Sequence, residues 1–216
     1  MRKFLSNIKQ SIFHRLKLYP IYDVFNAINA HYPLKGCTAL EAFAYTGAWQ
    51  TRAYKHLPAY LEAWEINEEC RSELEKNLPG ATIKITNTFE EAFRCKKKFN
   101  FINVDTHQGL FGNYCENFEF FPILFNLTQD ECIVNLNVIP NASPEWRSRY
   151  GSLFSEEHLR RRIAFYGTSD PENVTLEQML HTYGTIAAKN NYSIVWHYFK
   201  QRTLTYYLVL HLRKNL

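Results

Sequence analysis

The spacing of apolar residues along the chain changes near residue 37. Before that point the apolar positions recur every three to four residues, at Phe4, Ile8, Ile12, Phe13 and Leu16. This spacing predicts an amphipathic helix that Pro20 interrupts, followed by a second short helix from Tyr22 to about Ala30. We interpret residues 1–35 as lead-in helices that pack on a core beginning later in the chain.

Short apolar segments of strand length follow, and the third of them is rich in β-branched residues. They are Thr38–Phe43, Tyr60–Trp64, Thr82–Thr86, Phe99–Val104 and Glu131–Val138. Helices are predicted between them at 48–57, at 67–77 with Asn67 as the N-cap, and at 118–127. Because strands separated by helices need crossover connections, this alternation predicts a parallel sheet covered on both faces.

The alternation ends after the fifth strand. Residues 139–191 contain no clear strand, and they predict helices at about 155–165 and 175–189, the second with capping-box spacing at Thr175 and Gln178. We interpret this stretch as a helical insertion.

Tyr192–Phe199 and Thr203–Leu212 then read as two long strands joined by a tight turn, which predicts an antiparallel hairpin. The predicted fold is therefore a three-layer α/β Rossmann-like domain over residues 36–216. Its sheet is seven-stranded and mostly parallel, with the antiparallel hairpin at the C-terminal end.

Composition places the chain among globular proteins. It has 216 residues, of which 46% are hydrophobic and 21% charged, with a net charge of +4. The five cysteines form no C-x-x-C pair, so the sequence predicts neither a zinc site nor any other metal site, and it fits reduced thiols in the cytoplasm. No apolar run has the length of a membrane span, and no signal peptide is recognisable, so no membrane partner is expected.

Candidate chemistry lies where the predicted strands end, because ligands of open α/β sheets bind beyond the carboxyl ends of the strands. The residues in these places are Glu41–Gly47, Glu65, Asn87 and Asp105. Gly47 suits a sharp turn that approaches a ligand closely. Glu65 follows the second strand, where an acid can accept hydroxyl groups of a ribose. The alternative is that Glu65 only caps the helix that follows.

These segments resemble the motifs of class I S-adenosylmethionine-dependent methyltransferases. Glu41-Ala42-Phe43-Ala44-Tyr45-Thr46-Gly47 resembles the first motif, in a spelling close to that of ribosomal-RNA 5-methylcytosine methyltransferases. The continuation through Trp49, Thr51 and Arg52 is similar to that of the tRNA guanine dimethyltransferases. Trp64-Glu65-Ile66-Asn67 resembles the second motif, Thr86-Asn87-Thr88-Phe89 the third, and Phe101-Ile102-Asn103-Val104-Asp105 the strand leading into the fourth.

The resemblance covers roughly residues 36–138 and the terminal hairpin, and it implies a methyltransferase with S-adenosylmethionine (SAM) as its cofactor. It also implies that a set of residues binds this methyl donor: Glu41, Phe43, Tyr45, Thr46, Gly47, Glu65, Ile66, Asn87, Thr88 and Asp105.

The chain departs from the family pattern in two motifs. The common first motif has three glycines, and Phe43 and Tyr45 replace two of them. Enzymes that methylate base amino groups carry a diproline in the fourth motif, whereas this chain continues from Asp105 to His107 without one. We expect Asp105 and His107 to be the catalytic residues, one accepting the target's proton and the other acting as base. The alternative is that Asp105 only orders the donor.

Arginines interleaved with aromatic residues follow the fifth strand and indicate the acceptor side: Trp146, Arg147, Arg149, Arg160 and Arg161. This combination suits phosphate contact and base stacking, so we expect a nucleic-acid acceptor, RNA in preference to DNA. The sequence leaves open a small-molecule acceptor and a methyltransferase-like binding module that has lost activity. A nucleotide-dependent oxidoreductase is disfavoured by the terminal hairpin and by the lack of Gly-x-Gly-x-x-Gly.

Overall fold

The computed structural model describes residues 21–48, 50–106, 116–139, 155–201 and 206–216. The strands are β1 (Thr38–Ala42), β2 (Tyr60–Glu65), β3 (Thr82–Ile85), β4 (Phe99–Val104), β5 (Thr128–Val138), β6 (Tyr192–Gln201) and β7 (Tyr206–Lys214). Helix α1 is described over residues 21–31. The later helices are α2 (Arg71–Asn77), α3 (Thr88–Arg94), α4 (Glu116–Leu124), α5 (Glu156–Tyr166) and α6 (Leu176–Lys189).

The strands form one sheet in the order β3-β2-β1-β4-β5-β7-β6. Neighbouring strands from β3 to β5 are parallel, whereas β7 pairs antiparallel with both β5 and β6. This arrangement confirms the predicted fold class, including the antiparallel hairpin. Because strand order reverses between β1 and β4, the carboxyl ends of these two strands flank the switch point at which ligands of such sheets bind.

Alternate residues of each strand point to opposite faces of the sheet, and the two faces have different cores. The aromatic face, which includes Leu40 and Ile102, is covered by α3, α4, α5 and α6 and holds a continuous apolar cluster. The α1 face, which includes Ala39 and Phe101, is covered by α1, the segment 50–57 and α2. Buried residues of α1, such as Val24 and Ile28, belong to this second cluster.

Local capping signals were read correctly from the sequence. Asn67 accepts a hydrogen bond from Glu69 N, although the first turn after it is a 3-10 helix, Glu68–Cys70. The capping box of Thr175 and Gln178 is present in both directions at the start of α6. Such signals are local in the sequence, so they need no tertiary information.

The helix predicted at 48–57 is wrong in extent. The described part of this segment contains the 3-10 helix Gln50–Ala53 followed by hydrogen-bonded turns. Leu57 N donates to Tyr54 O, and Pro58, which has no N–H group, prevents any continuation. The amphipathic helix predicted before Pro20 lies outside the described residues. Among the described residues, no helix combines the length and the apolar character needed to cross a bilayer.

Candidate functional site

The loop after β1 has an unusual backbone at the three positions where the first motif carries glycine. Phe43, Tyr45 and Gly47 all have positive φ angles, of 60°, 49° and 62°. Residues with a side chain rarely adopt this left-handed conformation, because the Cβ atom approaches the following carbonyl oxygen. The loop therefore keeps the backbone shape of a glycine-rich loop although two of its glycines are replaced.

Contacts on both sides of the loop hold this conformation. The Phe43 ring packs edge-on against Phe89 and Phe120, with centroid distances of 5.8 and 5.4 Å. The N–H of Tyr45 donates to Glu65 Oε2 at 2.6 Å, so the loop is tied to the end of β2. A Cβ atom at Gly47 would lie 2.8 Å from side-chain atoms of Leu78 on the α1 face. The loop thus packs too closely for any residue but glycine at that position.

Glu65 ends β2 in a largely buried position, with its carboxylate turned toward backbone donors. Oε1 accepts the N–H groups of Ile66 and Asn67 at 3.0 and 2.9 Å, and Oε2 accepts that of Tyr45. Since a carboxylate offers about four acceptor positions, the described part of the chain leaves one position on Oε2 for a ligand. Ile66, the next residue, is 68% exposed and presents an apolar surface beside this carboxylate.

Asn87 and Thr88 lie at the start of α3. The Asn87 Oδ1 atom accepts the N–H groups of Phe89 and Glu90 and caps the helix, while Thr88 is buried. Asn87 thus has a structural role in addition to the donor-binding role that the third motif implies.

Glu41 is buried within the sheet, although the resemblance assigns it to the donor site. It lies on the α1 face of β1, is 1% exposed, and accepts hydrogen bonds from the Tyr54 hydroxyl and from Asn103 Nδ2. Burial, and after it the nearby Asp105 carboxylate, raise the pKa of Glu41 to about 8. Burial also raises the pKa of Tyr54 above its ordinary value. Direct contact between Glu41 and a ligand does not fit this position.

Asp105 directly follows β4 and is partly exposed. Its Oδ1 atom accepts a hydrogen bond from Asn137 Nδ2, and its N–H lies 3.4 Å from Ala42 O at the end of β1. The first motif and the fourth are therefore adjacent in space, as parallel pairing of β1 with β4 requires.

The second catalytic candidate and the acceptor-side residues are described only in part. His107, Trp146, Arg147 and Arg149 lie outside the described residues. Arg160 is exposed on α5 and forms an ion pair with Glu157.

Arg161, on the same helix, lies 2.9 Å from Glu157 and 3.1 Å from Glu119. Arg162, next to it, is buried and donates to the carbonyls of Ile139 and Pro171. Carboxylates of α4 and α5 thus neutralise much of the arginine run.

A carboxylate cluster on the other side of β2 could resemble a metal site. Glu62, Glu91 and Cys95 have ligand atoms close enough together to hold an ion. Lys84 Nζ, however, lies 2.6 Å from Glu62 and 2.8 Å from Glu91. The ammonium group already neutralises both carboxylates, so we assign this cluster a structural role.

The sequence reasoning missed Gln50, Tyr54 and Asn103, all buried near the site. Asn103 could have been found from its position, because it interrupts an otherwise apolar strand two residues before Asp105. Gln50 and Tyr54 carried no such signal, since they lie on the helix predicted at 48–57, where the sequence does not distinguish buried from exposed polar residues.

No family model matches the chain, and no curated protein matches its sequence. Solved structures, in contrast, do resemble its fold. Trm1 from Pyrococcus horikoshii, in complex with SAM, aligns with a TM-score of 0.63 at 12% identity, over 93% of this chain and 56% of Trm1. The chain thus spans little more than half the length of Trm1.

Two other enzymes with the same fold were solved with bound S-adenosylhomocysteine. The 1,6-didemethyltoxoflavin-N1-methyltransferase of Burkholderia thailandensis aligns with a TM-score of 0.58 at 11% identity, over 100% of this chain and 87% of that one. Magnesium protoporphyrin IX methyltransferase from Synechocystis PCC 6803 gives 0.57 at 13% identity, over 90% and 81%. The chain therefore has the fold of class I SAM-dependent methyltransferases, as the motif resemblance predicted.

Proposed function

We propose that the chain is a SAM-dependent methyltransferase whose acceptor is a nucleic acid, RNA in preference to DNA. The observation that carries the proposal is the loop after β1. All three glycine positions of the first motif keep left-handed backbone, and the loop is hydrogen-bonded to Glu65, the acid that the second motif assigns to the donor's ribose. Two of these conformations cost free energy without glycine, which a purely structural turn would not require.

The described residues fit the donor. Glu65 would accept a ribose hydroxyl at its remaining acceptor position, and the exposed Ile66 side chain would cover one face of the adenine. When bound, SAM supplies an activated methyl group. Asp105 and His107 would lie nearest to it, one accepting a hydrogen bond from the acceptor's proton and the other taking up that proton as the base. Most of the rate enhancement in such a transfer would come from holding the two substrates in line.

The choice of RNA rests on two observations. The Phe43-x-Tyr45-Thr46-Gly47 spelling resembles that of RNA methyltransferases, and arginines alternate with an aromatic residue at Trp146, Arg147 and Arg149. The ion pairs of Arg160 and Arg161 argue against a strong phosphate contact on α5 itself. We therefore assign the first acceptor contacts to the residues around Trp146, Arg147 and Arg149.

Calorimetric titration with SAM and with S-adenosylhomocysteine tests donor binding. We expect binding of both at micromolar to millimolar concentration and none of NAD. Glu65→Gln places an amide N–H against the backbone donors and should weaken binding at least tenfold, whereas Glu69→Gln on the nearby 3-10 helix should leave it unchanged. Absence of heat at millimolar donor would refute the proposal, and so would an unchanged affinity in Glu65→Gln.

Transfer of tritiated methyl groups from SAM tests the acceptor. Incubation with total RNA, genomic DNA and a small-molecule extract should label the RNA fraction, and ribonuclease should remove the label. Label in the small-molecule fraction alone would contradict the RNA assignment. Donor binding without label in any fraction would identify a binding module that has lost activity.

A further inference from the structure

A row of polar side chains crosses the α1 face of the sheet, where apolar residues would be expected. Glu41, Asn103 and Asn135 are register neighbours on β1, β4 and β5. Gln50 approaches the row from the 3-10 helix, and Asn137 follows Asn135 on the same face. Each of these five side chains is at most 4% exposed. Burial of so many polar groups is tolerated only where they hydrogen-bond to one another.

The hydrogen bonds form one continuous chain from Asp105 to Glu41. Asn137 Nδ2 donates to Asp105 Oδ1, and Gln50 Nε2 donates to Asn137 Oδ1 at 3.0 Å. Asn135 Nδ2 donates both to Gln50 Oε1 at 3.2 Å and to Asn103 Oδ1 at 2.6 Å. Asn103 Nδ2 completes the chain by donating to Glu41 Oε1 at 2.7 Å. We call Asn137, Gln50, Asn135 and Asn103 the amide relay.

The ends of the relay determine the direction of every bond in it. An ionised carboxylate only accepts, whereas each amide has one donating and one accepting end. Because Glu41 accepts from Asn103 Nδ2, Asn103 presents its oxygen to Asn135. Nδ2 of Asn135 therefore donates to Asn103, and the same nitrogen donates to Gln50. The direction continues through Gln50 to Asn137, which must present its N–H group to Asp105.

A buried oxygen of Asn135 supports this direction of the hydrogen bonds. Asn135 Oδ1 is buried and has no hydrogen-bond partner among the residues that the structure describes. Turning the Asn135 amide over would bring its oxygen against the oxygens of Gln50 and Asn103 and would lose two hydrogen bonds. Leaving a buried acceptor unpaired costs free energy. The relay keeps this orientation of Asn135 because the carboxyl groups at its two ends, Glu41 and Asp105, both accept N–H groups.

We infer that Glu41 is a positioning residue for Asp105: by accepting from Asn103, it fixes the direction of the amide relay so that Asn137 donates to Asp105 Oδ1. Glu41 thus acts on the site without touching a ligand. The inference deepens the proposed function, because it concerns the carboxylate that the proposal places beside the transferred methyl group.

Titration of Glu41 itself does not reverse the relay. Among the described residues, the titratable groups in contact with it are Asp105 at one end and Glu41, with Tyr54, at the other. The Tyr54 hydroxyl faces Glu41 Oε2. A proton on that oxygen leaves Oε1 as an acceptor for Asn103, so the direction is the same on both sides of the titration.

The side-chain carboxyl signals of aspartate, followed by ¹³C NMR across pH in the ligand-free full chain, test this inference. The chain has four aspartates, and Asp105→Asn identifies the signal of Asp105. Glu41→Met removes the acceptor at nearly constant volume and should raise the titration midpoint of Asp105 by about one pH unit, because Asn137 is free to turn over. Glu41→Gln keeps an acceptor oxygen and should leave the midpoint where it is, as should the exposed control Glu73→Gln.

A purely coulombic influence of Glu41 predicts no rise, since Glu41, with its pKa raised to about 8, is uncharged over the acid range in which a carboxyl group ordinarily titrates. Circular dichroism shows whether Glu41→Met folds. If it does not, Gln50→Met interrupts the relay at its centre and should raise the midpoint in the same way. An unchanged or lowered midpoint in the folded variant would overturn the inference. Titration of the wild type with S-adenosylhomocysteine separately tests donor binding, so failure of the proposed function is distinguishable from failure of the relay.

Discussion

The two faces of the sheet are built from the same strands but stabilised differently. On the aromatic face the rings of α4, such as Phe120 and Phe121, fill the space between sheet and helices with apolar contacts. The α1 face has a similar apolar layer, but it also contains the amide relay and the hydrogen-bonded pair of His31 and His211. Apolar contacts are non-directional, whereas hydrogen bonds fix angles. The face with directional bonds is therefore the one that can position a carboxylate at the site.

The largest effect is expected on the aromatic face. Phe121 is fully buried and packs edge-on against Phe125 and Tyr183. Phe121→Ala should lower the free energy of unfolding by about 3–5 kcal/mol, because it leaves a cavity among rigid helices. Chemical denaturation measures this loss, and Phe93→Ala, at an exposed position of α3, is the matched control with little effect. A loss below about 1 kcal/mol would mean that this face is not the main source of stability.

The next largest effect concerns the loop on the α1 face. Gly47→Ala places a methyl group 2.8 Å from Leu78 at a positive φ angle. Overpacking and backbone strain together should cost about 2–3 kcal/mol and should also weaken donor binding. Gly36→Ala has positive φ but open space around the new methyl group, so it isolates the backbone part of the cost. Equal losses in the two variants would refute the packing argument.

The buried proton of Glu41 should make stability depend on pH between about 5 and 8. Its pKa, raised by burial to about 8 in the folded chain, exceeds the ordinary value of 4.5. The folded state therefore holds a proton that the unfolded state has lost. The free energy of unfolding should fall as pH rises from about 5 through 8, by at most about 1.4 kcal/mol per pH unit. Urea denaturation at several pH values measures the slope, and Glu41→Gln should remove it.

A small gain in the free energy of unfolding is expected at Tyr45, in the loop after β1. Tyr45→Gly relieves the positive φ of an exposed residue and keeps the N–H bonded to Glu65. The free energy of unfolding should rise by about 0.5 kcal/mol, the difference between relieved strain and the entropy lost by glycine. Thr46→Gly, at a neighbouring position without positive φ, should be destabilising. Equal destabilisation by both variants would show that the positive φ angle of Tyr45 does not cost free energy.

The smallest effect is expected at acidic pH from the histidine pair of the α1 face. His211 is buried, lies 2.8 Å from His31 and 3.1 Å from Glu131, and has its pKa lowered by burial, which Glu131 partly opposes. A lowered pKa means that the unfolded state binds the proton first. Stability from this group should be present above pH 6.5 and lost as pH falls below it. His211→Gln should reduce this acid dependence, as measured by thermal unfolding between pH 5 and 7.

The sequence alone determined the order of the strands, the parallel sheet with its antiparallel hairpin, the caps at Asn67 and Thr175, and the placement of Glu65 at the end of β2, but it did not predict α3. These features depend on hydrophobic periodicity and on side chains within a few residues of one another, so they can be predicted from the sequence. The fold class follows from these features alone.

Only the tertiary structure decided what the polar residues of the site do. The motif assigned Glu41 to the donor, but the pairing of β1 with β4 and β5 aligned it with Asn103 and Asn135 and buried it. Likewise, packing of α5 on α4 placed Arg161 beside Glu119. Phe43 and Tyr45 adopt the backbone of glycine because Phe120 and Glu65 hold them there. Such partners are distant in sequence. A local sequence pattern therefore does not predict on which face of the sheet a polar side chain lies or which neighbour it contacts.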